Sequence, residues 1–189
     1  MLDVTYEVAL TSQLRSHGLA GGCALVRITE DCVDLTGADG GKLSVRLDDI
    51  IRLRVGYLDG RSRSYESRLW RWEDPKPLRL VPLVATWREY GVATRDLAAR
   101  LEQRGRRHCL EQGSSRADAI FGIVATGLIA IASVVISLVA LEQEPWWGRL
   151  LVPVFPVCLF GLLLYMGVRR YWPRPINSLA ELDVQLPPT

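Results

Sequence analysis

Residues 119–141 read AIFGIVATGLIAIASVVISLVAL, 23 consecutive positions without a charged side chain. As a helix rising about 1.5 Å per residue this run covers roughly 34 Å, more than a ~30 Å hydrocarbon core. It predicts a membrane-spanning helix. Just upstream, Ser115 and Asp118 stand three apart, the spacing that satisfies free amides at a helix start. A second uncharged run, Leu150 to Val168, has 19 residues and spans about 28 Å if helical. Pro153 and Pro156 fall near its start, where missing amide donors matter least, or kink it if the helix begins at Trp146.

Residues 142–149 (EQEPWWGR) are too few to cross back over the membrane surface, so the two runs predict a tight antiparallel hairpin. Arg104, Arg106, Arg107 and Arg116 precede it, and Arg169, Arg170 and Arg174 follow it, whereas the loop has Arg149 alone. That asymmetry places both termini in the cytoplasm, with the six flanking arginines from Arg104 to Arg170 as candidate contacts to anionic lipid. Trp146 and Trp147 at one boundary, and Tyr171 and Trp172 at the other, suit the headgroup region. Ala119, Gly122, Thr126, Ala130, Ser133, Ser137 and Ala140 follow spacings of three and four. They form a small-residue face for close helix packing, against the second run or against a neighbouring copy in a homo-oligomer. Neither run contains Asp, Glu, Lys, Arg or His, so a proton relay or ion path has no visible machinery.

The 189-residue chain leaves room for one modest domain besides this module. Residues 1–117 hold 19 Lys plus Arg against 16 Asp plus Glu, a net +3 too mild to indicate nucleic acid. Cys23, Cys32, Cys109 and Cys158 form no CxxC pair, so neither a disulfide framework nor a zinc site is expected. The first residues have neither the basic start nor the apolar core of a signal peptide, which keeps the N-terminal part inside the cell.

Between residues 22 and 82 the pattern predicts about six strands. Cys23–Thr29 and Cys32–Thr36 precede a glycine-rich turn, Gly37 to Gly41, and Leu43–Leu47 follows it. Ile51, Leu53 and Val55 alternate with Arg52 and Arg54, giving a strand with an apolar and a basic face. Asp59 and Gly60 mark a hairpin leading to Tyr65–Trp72, and Asp74 to Pro77 mark a turn before Leu78–Leu83. Thr94 can cap a helix through Leu97, Leu101 and Gln103 that Gly105 stops.

Antiparallel strands followed by one amphipathic helix, over about residues 5–104, resemble the bacterial pleckstrin-homology-like (PH-like) domain. Val45 to Leu53 looks like the strand, acidic corner and strand common in such domains. The resemblance implies a bent sheet plugged at one end by the helix. In many bacterial membrane proteins with this domain the hairpin precedes it, whereas here it follows.

The predicted fold class is therefore α+β. An antiparallel β-rich PH-like domain with a C-terminal capping helix (1–104) leads through a basic juxtamembrane linker (105–118) to an all-α transmembrane helical hairpin. The hairpin comprises helix 119–141, the extracytoplasmic loop 142–149 and helix 150–168, and a cytosolic tail (169–189) follows. That tail is expected either to dock as a short helix, with Ser178 and Glu181 as its capping box, or to stay loose.

The densest candidate surface combines Arg52, Arg54, Arg61, Arg63, Arg68 and Arg71 with Trp70 and Trp72. Anionic lipid or a protein partner are its expected contacts, against the alternative of a merely solvated strand face. His17 and His108 lack any catalytic context, and Asp48 and Asp49 point to opposite faces of a strand. The expectation is an integral protein of the bacterial inner membrane without enzymatic activity or cofactor. It binds a lipid or protein at the inner leaflet, or serves as an accessory subunit of a transport, secretion or envelope complex.

Overall fold

The computed structural model describes residues 4–58, 64–113, 116–140 and 146–188. The chain divides into two compact units, one formed by Met1–Gly113 with Pro173–Thr189 and the other by Ser114–Trp172. The fold is mixed α+β, with a largely antiparallel sheet region and several helices.

In the first unit, β1 (Thr5–Ala9), β2 (Cys23–Ile28), β3 (Cys32–Gly37) and β4 (Lys42–Arg46) form an antiparallel sheet in the order β1-β2-β3-β4. A single turn at Leu47–Asp49 leads into β5 (Ile50–Leu58), which pairs antiparallel with β6 (Ser64–Arg71), itself paired with β7 (Asp74–Leu80). Among the described residues six strands thus fall between residues 22 and 82, where the sequence predicts about six. Strand alternation drives them: Val26, Ile28, Val33, Leu35 and Val45 are buried, whereas Leu25, Arg27, Lys42 and Ser44 lie outside. The isolated pairing of Val8 with Pro82, and Ala9 N–H donating to Val81 O at 2.8 Å, join the two sheets at one end.

Helix α1 (Ser12–Ser16), unforeseen in the sequence, is capped by Thr11, whose hydroxyl accepts from Leu14 N–H, and it plants Leu14 in the core. Helix α2 spans Trp87–Gln103, starting seven residues before Thr94. Thr94 is no cap: it is buried on the inner face with Tyr90, Ala93, Leu97, Ala98 and Leu101. Gly105 does stop the helix, with φ +71°. Burial pushes the phenols of Tyr6 and Tyr90 far above their ordinary range, so both remain neutral, and Tyr90 Oη lies 2.7 Å from Ser67 Oγ.

Two further expectations are corrected here. Asp74 to Pro77 is not a turn but the start of β7, whose prolines are tolerated because β7 is an edge strand; the turn lies at Trp72–Glu73. Residues 105–112 are not a linker: Arg107–Cys109 form a helical turn and Leu110–Gln112 form β8, which lies parallel to β5. The tail docks instead of hanging loose. Arg174–Pro175 form β9, antiparallel to β8, giving the second sheet the order β7-β6-β5-β8-β9. A turn over Leu179–Val184 then buries Leu182. Ser178 caps that turn by accepting from Ala180 N–H, but Glu181 is not its partner; its carboxylate accepts from Gln112 Nε2 at 2.7 Å.

In the second unit, α3 (Arg116–Ala140) packs against α4 (Trp146–Tyr171), with lengths of about 37 and 39 Å. Helix α4 starts at Trp146, so Pro153 and Pro156 lie inside it. Among the described residues, one helix is long and apolar enough to cross a membrane, through Ala119–Ile136 with mean hydropathy 2.6. Helix α4 contributes a shorter apolar stretch, Val157–Arg169. The Ser115–Asp118 cap and the loop at 141–145 lie outside the described residues.

Candidate interaction surface

Strand alternation gives the second sheet an inner face of Leu53, Val55, Ser67, Leu69, Leu78, Leu80 and Leu110, all buried. The outer face is built from the residues between them. Register places Arg79 of β7 opposite Arg68 of β6, Arg68 opposite Arg54 of β5, and Arg54 opposite Glu111 of β8. Three arginines thus stand in one row across three strands, an arrangement of like charges that costs stability unless neutralised.

Two carboxylates neutralise it. Glu66, with only 4% of its side chain exposed, accepts from Arg79 Nε at 2.5 Å and pairs with Arg68 Nη2 at 2.6 Å. Glu111 accepts from Arg54 Nε at 2.9 Å and Nη2 at 2.6 Å, and its other oxygen lies 3.3 Å from Arg52 Nε. Trp70, opposite Arg52, lies under both guanidinium groups, which stand 5.4 and 5.1 Å from its ring centroid. Within this network four arginines meet two carboxylates. Arg54 is 8% exposed, while Arg52 and Arg79 reach 47% and 44% and present the accessible charge.

The candidate residues from the sequence therefore separate. Arg52, Arg54, Arg68 and Trp70 form this network, with Glu66, Arg79 and Glu111 as members that sequence reasoning missed. Pairing Arg52 and Arg54 with the alternating Glu66, Arg68 and Trp70 would have revealed Glu66; Glu111 sits on a three-residue strand too short to carry a periodic signal. Arg71 belongs to a separate cluster, where its Nη2 lies 3.3 Å from His17 Nε2 and 3.5 Å from Asp74 Oδ2, and His17 Nε2 is 3.4 Å from the same oxygen. The Lys76 backbone amide, donating at 2.8 Å, holds the Asp74 carboxyl below its ordinary value, with Arg71 and His17 adding to the effect against partial burial. Arg61 and Arg63 lie outside the described residues.

Trp72 stands apart at 76% exposure, with half-exposed Ile51 on the neighbouring strand and its own amide donating to Asp49 O. Gly113 N–H bonds to Val55 O in the second half of β5, about 20 Å along the strand from Asp49. Trp72 therefore lies at the end of the sheet opposite to the one where the chain leaves for α3.

The flanking arginines also divide. Arg104 donates to Asp48 Oδ1 at 3.0 Å, Asp31 Oδ1 at 2.6 Å and Glu30 O at 2.9 Å, clamping two turns to the end of α2. Arg106 donates to the carbonyls of Leu47 and Asp48. Both serve the domain's interior contacts. Arg107 pairs with Glu102 at 3.4 Å and stays exposed, as does Arg169; the side chains of Arg116 and Arg170 lie outside the described residues. Along α3, Ala119 is buried, Thr126, Ala130 and Ser133 are half-buried and Gly122 is exposed; the side chains of Ser137 and Ala140 lie outside the described residues. Thr126 and Ser133 hydroxyls donate to carbonyls four residues back, at 2.8 Å each, which satisfies them within the helix.

Among the described residues no cluster of His, Cys, Asp and Glu could hold a metal ion. An open hollow of about 410 Å³ on the outside of β2–β4, lined by Leu25, Arg27, Asp34, Lys42, Leu43 and Ser44, has its one carboxylate bonded to Ser44 Oγ at 2.6 Å. No protein-family model matches the chain, and no curated protein or solved structure matches it.

Proposed function

We propose that this chain is a non-enzymatic, membrane-anchored interaction module. In this reading α3 and α4 form a transmembrane hairpin, both termini are cytoplasmic, and a PH-like β domain meets anionic lipid or a protein partner at the inner leaflet. The observation that carries it is the exposure of α3: only 6% of its apolar 18-residue window is buried within the chain. A core helix of a soluble protein hides such a face; one left open calls for an apolar solvent. Alkaline carbonate extraction of membranes tests it. Retention in the pellet is expected, and release to the supernatant overturns the anchor.

For the lipid arm, Arg52 and Arg79 supply the accessible cations of the arginine row. The full chain in nanodiscs should unfold at higher temperature with anionic than with zwitterionic lipid, the difference shrinking with added salt. The double variant R52Q/R79Q should abolish most of that difference. An unchanged difference excludes the row as a lipid contact.

Trp72 and Ile51 favour a protein partner on the same module, because they lie at the sheet end farther from the chain's exit. A photocrosslinker at position 72 should capture one stoichiometric membrane-complex protein, whereas one at Val84, similarly exposed, should not. Equal yields at the two positions count against a docking role and against the accessory-subunit reading.

A further inference from the structure

We infer that the C-terminal segment Arg174–Pro187 locks the crossing number of the chain: the β domain is complete only when the chain has returned to the side of the membrane where residues 1–113 fold. The inference rests on the membrane reading above and adds a topological constraint to it.

Gln112 and Arg174 are antiparallel strand partners, as are Glu111 and Pro175, and Ile176 N–H donates to Leu110 O at 3.1 Å. Such partners lie about 5 Å apart. All of Ser114–Trp172 lies between them in sequence. A single crossing would leave residues 112 and 174 separated by a hydrocarbon layer of about 30 Å, which this ladder cannot bridge. The number of crossings is therefore even, and α4 must cross if α3 does.

The docking is a built part of the fold. Ile176, Leu182 and Leu186 are buried in the same core as Leu97 and Leu101. Leaving that site would expose them and strip Gln112, itself buried, of its bond to Glu181. Arg95 donates Nε to Asp183 Oδ1 at 2.6 Å and Nη2 to Pro187 O at 3.3 Å. Gly91 explains itself here as well. Glycine weakens a helix interior, but a Cβ at this position would meet Pro187 Cγ at 3.0 Å and Pro187 O at 3.3 Å, so the helix gives way to admit the tail.

Two measurements on the full-length protein test the lock. In nanodiscs, L182D should lower the unfolding midpoint of the β domain by about 10 °C, while V184D, at an exposed neighbouring position, should leave it unchanged. R95E should lower it less, and adding D183R should recover most of the loss, a rescue that general destabilisation does not give. In sealed vesicles, cysteines placed by D39C and P188C in a background with all four native cysteines replaced by alanine should react alike with a membrane-impermeant maleimide. Labelling of one without the other overturns the lock, as does an unchanged midpoint in L182D. Loss of stability in L182D from a chain that carbonate releases overturns the membrane reading and the crossing count, and leaves the tail as a part of a soluble fold.

Discussion

Glu66 illustrates how a residue with no motif around it can dominate a surface. Its carboxylate is almost fully buried and holds Arg68 and Arg79 in a row of like charges. E66Q keeps the shape and removes the charge, leaving a mostly buried Arg68 opposite Arg54 and Arg79. About 3 kcal/mol of stability should be lost in chemical denaturation, read as a lower midpoint with an unchanged slope. Asp74 gives the pH counterpart. Its folded-state pKa lies below the ordinary aspartate value, so its stabilisation is present above about pH 4 and is lost as pH falls through the folded value. The stability gap between the wild type and D74N should accordingly close in acid titration below about pH 4. Gly41 is a third instance, because a Cβ there would collide with the Gly18 carbonyl. The glycine-rich break reads in the sequence as a turn, and it is one; that Gly41 also admits the chain at Gly18 depends on a contact 23 positions away, which no local pattern carries.

At the scale of elements, the strands between residues 22 and 82 were legible because period-two alternation survives wherever one face is buried. Val33 and Leu35 inside, with Cys32, Asp34 and Thr36 less buried, is such a case. Legibility failed where tertiary context overrode local preference. Pro75 and Pro77 read as turn residues until β7 is known to be an edge, and Gly91 obscured the first half of α2. Strand β8 was invisible, since three residues hydrogen-bonded to a strand far away in sequence have no period to detect. The end of α2 offers a test at this scale. Arg104 ties it to the turns at Glu30–Asp31 and Asp48, and although Asp31 is exposed, the three bonds share one guanidinium. R104A should cost about 1 kcal/mol, with faster hydrogen exchange confined to those turns and the last turn of α2.

For the whole molecule, the uncharged run at 119–141 was legible as a helix long and apolar enough to cross a membrane, because such a pattern is long and simple. The arginine row was only half legible: its cations were visible as a basic cluster, but their pairing with Glu66 and Glu111 emerges only from register. The tail was the least legible part, because Ile176, Leu182 and Leu186 follow neither a helical nor a strand period. Its docking predicts a measurable unity of the β domain. The Ile176 amide, bonded to Leu110 O, should exchange at the rate of the Leu110–Gln112 ladder and through global opening. Exchange of Ile176 much faster than that of the ladder would mark the tail as a separate, loosely held unit.

The returning strand also sets a clock on biosynthesis. Residues 1–113 leave the ribosome first, yet the β domain lacks β9 and three core side chains until 73 further residues, 114–186, have been made. At about 5–20 residues per second that interval is roughly 4–15 s, during which Leu110 and Gln112 await partners. A chain terminated within residues 114–172 would keep that gap open permanently. Its unfilled core would expose the product to proteases, so the segment carrying Ile176, Leu182 and Leu186 decides whether the β domain survives as a finished unit.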